Sequence, residues 1–298
     1  IQKQTFQANT FTYFDNSYPG INELEILAKN DDPDAQAKLG VTYWWSQNET
    51  DKELALYWTK KAALNGNSEA QNNYGTFFYN GDLIAQDLSQ SFYWYQQSVN
   101  QGNSIAMKNL GSYYFLIDND VDNAIKYLKM AFNSGELSAA WSLGNVYRSM
   151  INVNKNNEYM AYEWMLKAAQ KNYLPAQFEV SMMLLNGEGV QANKISSLDW
   201  LTKALKVNGD QNNIWVELVK KELTSRYFFG VGVDASFLEA QKIDSAYVME
   251  LVSSGMLSSH QIFQFAQNLE FDIKDLSQAR DWYEKAAEKG HLSAQQRV

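Results

Sequence analysis

No cysteine occurs among the 298 residues. Structural disulfides, thiolate nucleophiles and zinc–thiolate sites are therefore excluded. The compartment stays open, because a chain without cysteine suits cytosol and periplasm alike. Histidine is nearly absent too: with 2 in the chain, a three-histidine zinc site cannot be built, although counting does not exclude mixed ligation. No apolar run approaches the ~20 residues of a membrane-spanning helix. Positive charge is short, with 25 Lys and Arg against 34 Asp and Glu and a net charge of −9. That argues against nucleic acid, whose affinity comes from basic side chains neutralising phosphates, and against an anionic membrane surface. A basic partner is allowed but not required, since surplus acid often serves solubility. With 3 prolines and frequent Ala, Leu, Lys and Gln, the composition favours helix.

What is present is a repeat. Ala35, Gly40 and Tyr43 are followed after a polar break by Trp58 and Gly66. The same spelling returns as Ala70/Gly75/Phe78, Ala106/Gly111/Tyr114, Ala139/Gly144/Tyr147 and Ala176/Ser181/Leu184. A second set pairs an aromatic with a turn residue eight positions on: Trp58/Gly66, Trp94/Gly102, Tyr127/Gly135, Trp164/Asn172, Trp200/Asn208, Tyr247/Gly255 and Trp282/Gly290. The aromatics are spaced by 36, 33, 37, 36, 47 and 35 residues. Such a period means a helical array, which grows by adding units. Glycine inside a helix costs ~1 kcal/mol against alanine, so its recurrence points to a helix lying close to its partner. Gly or Asn after the aromatic sits where a left-handed cap ends a helix. The large aromatics fill the space that the small residues leave.

The ends and one interval depart from this pattern. Residues 1–20 carry Phe6, Phe11, Tyr13, Phe14 and Tyr18 without a helical period, and read as an extended N-terminal arm packing its aromatics on the first unit, or as a disordered leader. Residues 21–30 form a short helix, the second half of an incomplete, capping unit. The 47-residue interval holds about ten extra residues over 205–245. Its first helix, near Ile214 to Phe229, lacks the Leu-Gly pair and shows Trp215, Leu218 and Leu223 instead. In the next first helix, His260 to Leu269, Gln264 stands where glycine belongs. The chain stops at Val298, just after Ala294 opens another unit.

The string Ala-x-x-x-Leu-Gly-x-x-Tyr, the loop Asn186-Gly-Glu-Gly-Val190 and the helix from Ala279 to Gly290 with its Trp-x-x-Lys-Ala-Ala core resemble the Sel-one-like repeat, a relative of the tetratricopeptide repeat. The resemblance covers residues 21–298 as one solenoid. It implies an all-α fold, a right-handed α/α superhelix of about seven helix-turn-helix repeats, used for protein–protein contact.

A search for chemistry finds little. His291 follows the Gly290 cap in a loop and His260 starts a helix, both structural positions. The pairs Gly187/Gly189 and Gly230/Gly232 lack the strand and the Lys-Ser/Thr of a phosphate loop and read as turns between helices. Asp31-Asp32-Pro33-Asp34 has the look of a calcium cluster, but acidic residues also favour a helix start. No carboxylate pair is set apart for acid–base work. The expectation is no catalytic residue, metal or cofactor.

In tetratricopeptide-like arrays the inner surface is lined by the first helix of each unit. That register, taken from the glycine anchor, picks out Trp44, Trp45, Asn72, Tyr79, Lys108, Phe115, Trp141, Arg148 and Phe178 as partner-binding, with packing against the neighbouring unit as the alternative for several. Aromatics with Arg and Lys are the composition of interface hot spots. The leading expectation is a scaffold binding a protein through its concave surface. A narrower version is a periplasmic immunity protein that neutralises a toxic, lipase-type effector of type VI secretion, as some bacterial members of the resembled family do. The rivals are a structural adaptor of a bacterial envelope complex and a hydrolase sited in 205–245. The chain opens at Ile1 rather than Met: a removed secretion signal, which favours the periplasm, is one explanation and an internal boundary, which leaves the cytoplasm open, is the other. The partner's identity and the oligomeric state are not legible in the sequence.

Overall fold

The computed structural model describes residues 20–46, 48–207, 213–233, 235–254 and 257–297. Among these residues it contains helices and turns and no strand. The expected arm over residues 1–20, save Gly20, and the cap positions Asn208 and Gly255 lie outside the described residues. The helices are α1 (Ile21–Lys29), α2 (Pro33–Trp45), α3 (Glu49–Leu64), α4 (Ser68–Asn80), α5 (Leu88–Asn100), α6 (Ser104–Leu116), α7 (Val121–Asn133), α8 (Ser138–Ser149), α9 (Asn156–Gln170), α10 (Leu174–Asn186), α11 (Lys194–Val207), α12 (Ile214–Phe229), α13 (Phe237–Ser253), α14 (Ser259–Asn268), α15 (Leu276–Glu288) and α16 (Leu292–Gln295). From α2 onward they alternate as first and second members of helix pairs, α2 with α3, α4 with α5, α6 with α7, α10 with α11, α12 with α13 and α14 with α15. This is the all-α solenoid expected from the repeats. The chain groups into two compact units, one ending at Trp164 and the other beginning at Met165, with the division inside α9.

The small residues of the repeat act where the spacing predicts. A Cβ added at Gly40 would lie 2.4 Å from the Thr59 hydroxyl, one at Gly75 would lie 2.9 Å from the Tyr95 ring and 3.2 Å from the Ser91 carbonyl, and one at Gly111 would lie 2.8 Å from Leu128. Each contact is to the second helix of the same pair, so glycine sets how near the pair can come. Where α10 has Ser181 instead, a polar latch takes over: its hydroxyl donates to the Ser197 carbonyl of α11 at 2.7 Å, and the Ser197 hydroxyl donates back to the Ser181 carbonyl at 2.5 Å.

The connection from a second helix to the next first helix is equally regular. Gly66, Gly102, Gly135, Asn172 and Gly290 all have positive φ, between 64° and 97°. The amide after each returns to a carbonyl five residues back, as from Asn67 to Ala62 at 3.0 Å and from His291 to Ala286 at 3.0 Å. This closes the helix end by a Schellman turn. After Gly66 and Gly102 the next residue is an N-cap: Asn67 accepts from the Ala70 amide and Asn103 from the Ala106 amide. A buried glutamine follows the capped alanine and reaches back eight residues to the end of the preceding helix. Gln36 donates to the Ala28 carbonyl, Gln71 to Ala63 and Gln177 to Ala169. Ala-Gln thus satisfies carbonyls that a helix end leaves open.

The signature lysine also has a reason. In Trp-x-x-Lys the amine returns over the indole face, as Lys285 does over Trp282 at 3.5 Å and Lys203 over Trp200 at 4.8 Å, a cation–π contact one turn along the helix.

The irregular interval lies in the second unit. Its α12 replaces glycine packing with Val216, Val219 and Leu223 in the core. Arg226, only 1% exposed, donates to Glu222 at 2.7 Å, to the Ser197 hydroxyl at 2.8 Å and towards the Met182 sulfur at 3.7 Å. One side chain therefore ties α12 to α10 and α11. The following α13 is two helices across a kink at Asp244, where φ is −153°, and the Asp244 carboxylate caps the second piece by accepting from the Tyr247 amide. In α14 Gln264 points outward while Phe263, Phe265 and Ala266 are buried, so it does not fill the glycine position. A π-helical turn, Leu269–Ile273, follows α14.

Candidate partner-binding face

In the first unit, the first helices form a row. α2 packs against α4 and α6 against α8; Asn109 of α6 bonds Asn72 of α4. The anchor glycine turns its side of each helix to the second helix, and residues three before and four after it run along the row.

Seven of the nine candidate residues fall on this row, in four consecutive first helices, and Trp45 stands next to Trp44 at its edge. Trp45 is the most open, at 54% exposure. Trp44 is half-buried, its ring 5.1 Å from Phe77 and covered by the Lys52 amine at 4.6 Å. Tyr79 is half-buried 6.4 Å from the Tyr113 ring, and burial raises the pKa of its hydroxyl. Phe115, Trp141 and Arg148 are half-buried. Asn72 and Lys108 are not surface positions: they are 0% and 5% exposed. Burial lowers the pKa of the Lys108 amine, with the Glu136 carboxylate opposing. Phe178 lies on α10 in the second unit, half-buried against Trp215 at 6.0 Å.

The register missed what lies beneath this row. Asn72 donates to Asn73 at 3.3 Å and Asn109 donates to Asn72 at 2.9 Å, a directed chain of carboxamides with all three residues buried. The signal was available, since Asn73 and Asn109 both stand two residues before an anchor glycine. Thr76 and Ser112, each three residues on from one of these asparagines, are buried too.

The other candidate chemistry resolves into structure. Asp32 caps α2 by accepting from the Asp34 and Ala35 amides. Asp31 pairs with Lys61 at 2.8 Å, and that lysine holds its carboxyl below the usual range. His291 caps α16 through the Ala294 amide, stacks on Phe263 at 4.1 Å and faces His260 across 3.5 Å. Gly187 and Gly230 end α10 and α12 in the left-handed conformation. Among the described residues no group of three or more His, Cys, Asp or Glu could hold a metal ion, and no helix is long and apolar enough to cross a membrane.

The model of the Sel1 repeat matches residues 33–67, 68–103, 104–136, 137–173, 174–206 and 271–291. The chain belongs to the Sel1 repeat family. The matched segments begin and end at the α2–α11 pairs and return at α15; the unmatched stretch between them holds α12, α13 and α14. Comparison with curated proteins finds no match. Among solved structures, c5321 of uropathogenic Escherichia coli, a protective antigen with an SLR fold, is 26% identical with a TM-score of 0.62, covering 93% of this chain and 58% of its own length. The chain therefore spans little more than half of that protein. A Sel1 repeat protein from Oxalobacter formigenes is 20% identical with a TM-score of 0.57, covering 76% and 96%. The immunity protein PA5088 of Pseudomonas aeruginosa is 16% identical with a TM-score of 0.31, covering 76% and 83%, an overlap too slight to transfer a function. Sel1 repeat proteins generally act as protein-interaction scaffolds, and the fold is typically non-enzymatic.

Proposed function

We propose that this Sel1 repeat protein holds a protein partner on the first-helix row of its first unit. Trp44, Trp45, Tyr79, Phe115, Trp141 and Arg148 make the contacts, and Asn72 and Lys108 shape the floor beneath them. The observation that carries the reading is this row itself: four helices in succession set half-buried or exposed aromatics beside arginine, in a chain whose net charge is −9. Aromatic and arginine side chains concentrate binding energy when a partner desolvates them. No reaction centre is part of this reading. Among the described residues, the carboxyl held above its usual range by burial is Glu69, on α4 and far in sequence from 205–245.

The test is a photo-crosslinking amino acid placed at Trp45, with one at Tyr57 of α3, equally exposed at 54%, as control. A partner identified by mass is expected from position 45 and not from 57, and Arg148→Glu should abolish its capture. Equal labelling from both positions would overturn the reading.

A narrower version makes the chain an exported immunity protein against a lipase-type effector, acting in the periplasm. The likeness to c5321, a protective antigen of uropathogenic Escherichia coli at 26% identity, is compatible with this version. Co-expression tests it: a neighbouring gene product that kills when exported should be tolerated when this chain is exported with it. If the crosslinked partner is a component of an envelope assembly instead, the adaptor reading replaces the immunity one.

A further inference from the structure

Tyr79 of α4, Phe92 of α5 and Tyr113 and Tyr114 of α6 form a run of aromatic rings across two helix pairs. Tyr79 and Phe92 lie 6.4 and 5.5 Å from Tyr113, inclined at 61° and 56°, and Phe92 lies 5.8 Å from Tyr114 at 90°. Rings so inclined meet edge to face and leave π faces that attract a cation. Two carboxylates act on them. Burial raises the pKa of the Tyr113 hydroxyl, and Asp118 and Asp87 raise it further; Asp118 acts on Tyr114 as well.

Packing alone does not account for this set. Tyr113 is 7% exposed, yet no described group bonds its hydroxyl. Asp87 caps α5 by accepting from the Gln90 amide, whereas Asp118 is exposed and takes no hydrogen bond or ion pair among the described residues. From Tyr79 to Ile125 the chain has five aspartates against one basic residue, the buried Lys108. The ends of α4 at Asn80 and of α6 at Leu116 add the negative poles of two helix dipoles. At the far end of the run Tyr114 stacks on Tyr127 at 5.4 Å, and the Lys126 amine lies 5.3 Å from the Tyr127 ring. The near end has rings and carboxylates but no cation among the described residues.

We infer that Tyr79, Phe92, Tyr113, Tyr114, Asp87 and Asp118 receive an arginine side chain of the protein partner. The inference rests on the scaffold reading above and names one contact that the partner must make; Tyr79 belongs to the first-helix row, so the site adjoins it. A guanidinium is flat enough to lie against the rings, and its five N–H groups donate to the carboxylates and to the Tyr113 oxygen. A lysine ammonium matches the charge but not the plane. A quaternary ammonium has no N–H to give to these acceptors, and an anion is repelled by them.

The probe is acetyl-Gly-Arg-Gly-amide, titrated at physiological salt into the full chain carrying carbon-13 in its tyrosine rings. Signals are assigned by Tyr→Phe substitution at 79, 113 and 114. Saturable shifts confined to these three rings are expected. The citrulline analogue, which keeps the shape and loses the charge, should bind about tenfold more weakly, and the lysine peptide more weakly than arginine. Asp118→Asn and Asp87→Asn should each weaken the arginine peptide about two- to fivefold; asparagine at 87 keeps the helix cap. Asp199→Asn makes the same charge change on α11 and should leave binding as it is. Shifts spread over the other tyrosines, an equal response to citrulline or lysine, or an equal effect of Asp199→Asn overturns the inference. A protein captured at position 45 should be lost or weakened in Asp118→Asn; if its capture is unchanged, the scaffold reading stands and this one falls. If the arginine peptide binds here while nothing is captured at position 45, the chosen face is wrong and the arginine site stands.

Discussion

At Gly75 an added methyl would meet the buried Tyr95 ring at 2.9 Å and the Ser91 carbonyl at 3.2 Å, neither of which yields easily. Gly75→Ala is therefore expected to destabilise by about 2 kcal/mol despite the better helix propensity of alanine. Gly66 is the contrast: nothing lies within 4 Å of its added methyl, but its φ is +90°. Its substitution costs about 1 kcal/mol through backbone strain alone. Urea unfolding of the two variants separates the two reasons for a recurring glycine, and equal losses would contradict the close-approach account. Lys108 carries the opposite sign. Burial lowers its pKa from 10.5, so the folded chain holds that proton less firmly than the unfolded one, and the charged amine counts against folding at neutral pH. Lys108→Met should raise the melting temperature at pH 7. The gain should shrink as pH rises through the depressed pKa toward 10.5, where wild-type lysine is neutral in the fold. A lysine kept at a cost to stability is what a binding floor would retain.

At the scale of the element, α12 differs most from its neighbours. It has no anchor glycine, and its closeness to α10 and α11 is secured by Arg226 bonded to Glu222, Ser197 and Met182. Removing one partner of a buried ion pair leaves desolvated groups behind, so Arg226→Ala is expected to cost about 3–5 kcal/mol, read as a lower midpoint in denaturant. A loss below 1 kcal/mol would mean that apolar packing around Leu223 holds α12 unaided. The kink at Asp244 and the π-helical turn at Leu269–Ile273 belong to the same stretch, where the repeat pattern breaks.

At the scale of the whole molecule, charge decides which partners are excluded. With a net charge of −9, the chain has no surplus of basic side chains to release counterions from nucleic acid. Gel-shift titration with single- and double-stranded RNA at physiological salt should give no complex below about 10⁻⁴ M. A tighter, salt-sensitive complex would contradict the protein-binding reading. The row of first helices is the counterpart of that exclusion: aromatic and cationic side chains gathered on one run of α2, α4, α6 and α8 in an acidic chain.

The order and pairing of the helices were legible from the sequence, because the repeat states the same local rules again and again: a small residue where a pair closes, an aromatic beside it, a left-handed residue at the helix end. These are short-range requirements, each satisfied within one pair. The neutral chain of Asn73, Asn72 and Asn109, the burial of Lys108 and the Arg226 tie were decided only by tertiary structure. Each joins residues on different helices, about 30 to 45 positions apart for Asn109 to Asn72 and Arg226 to Ser197 and Met182, and a periodic pattern gives a side chain's face without giving what stands across from it. The candidate face divides the same way: periodicity placed Trp44, Trp141 and Arg148 on one row, and packing alone determined that Asn72 and Lys108 lie beneath it.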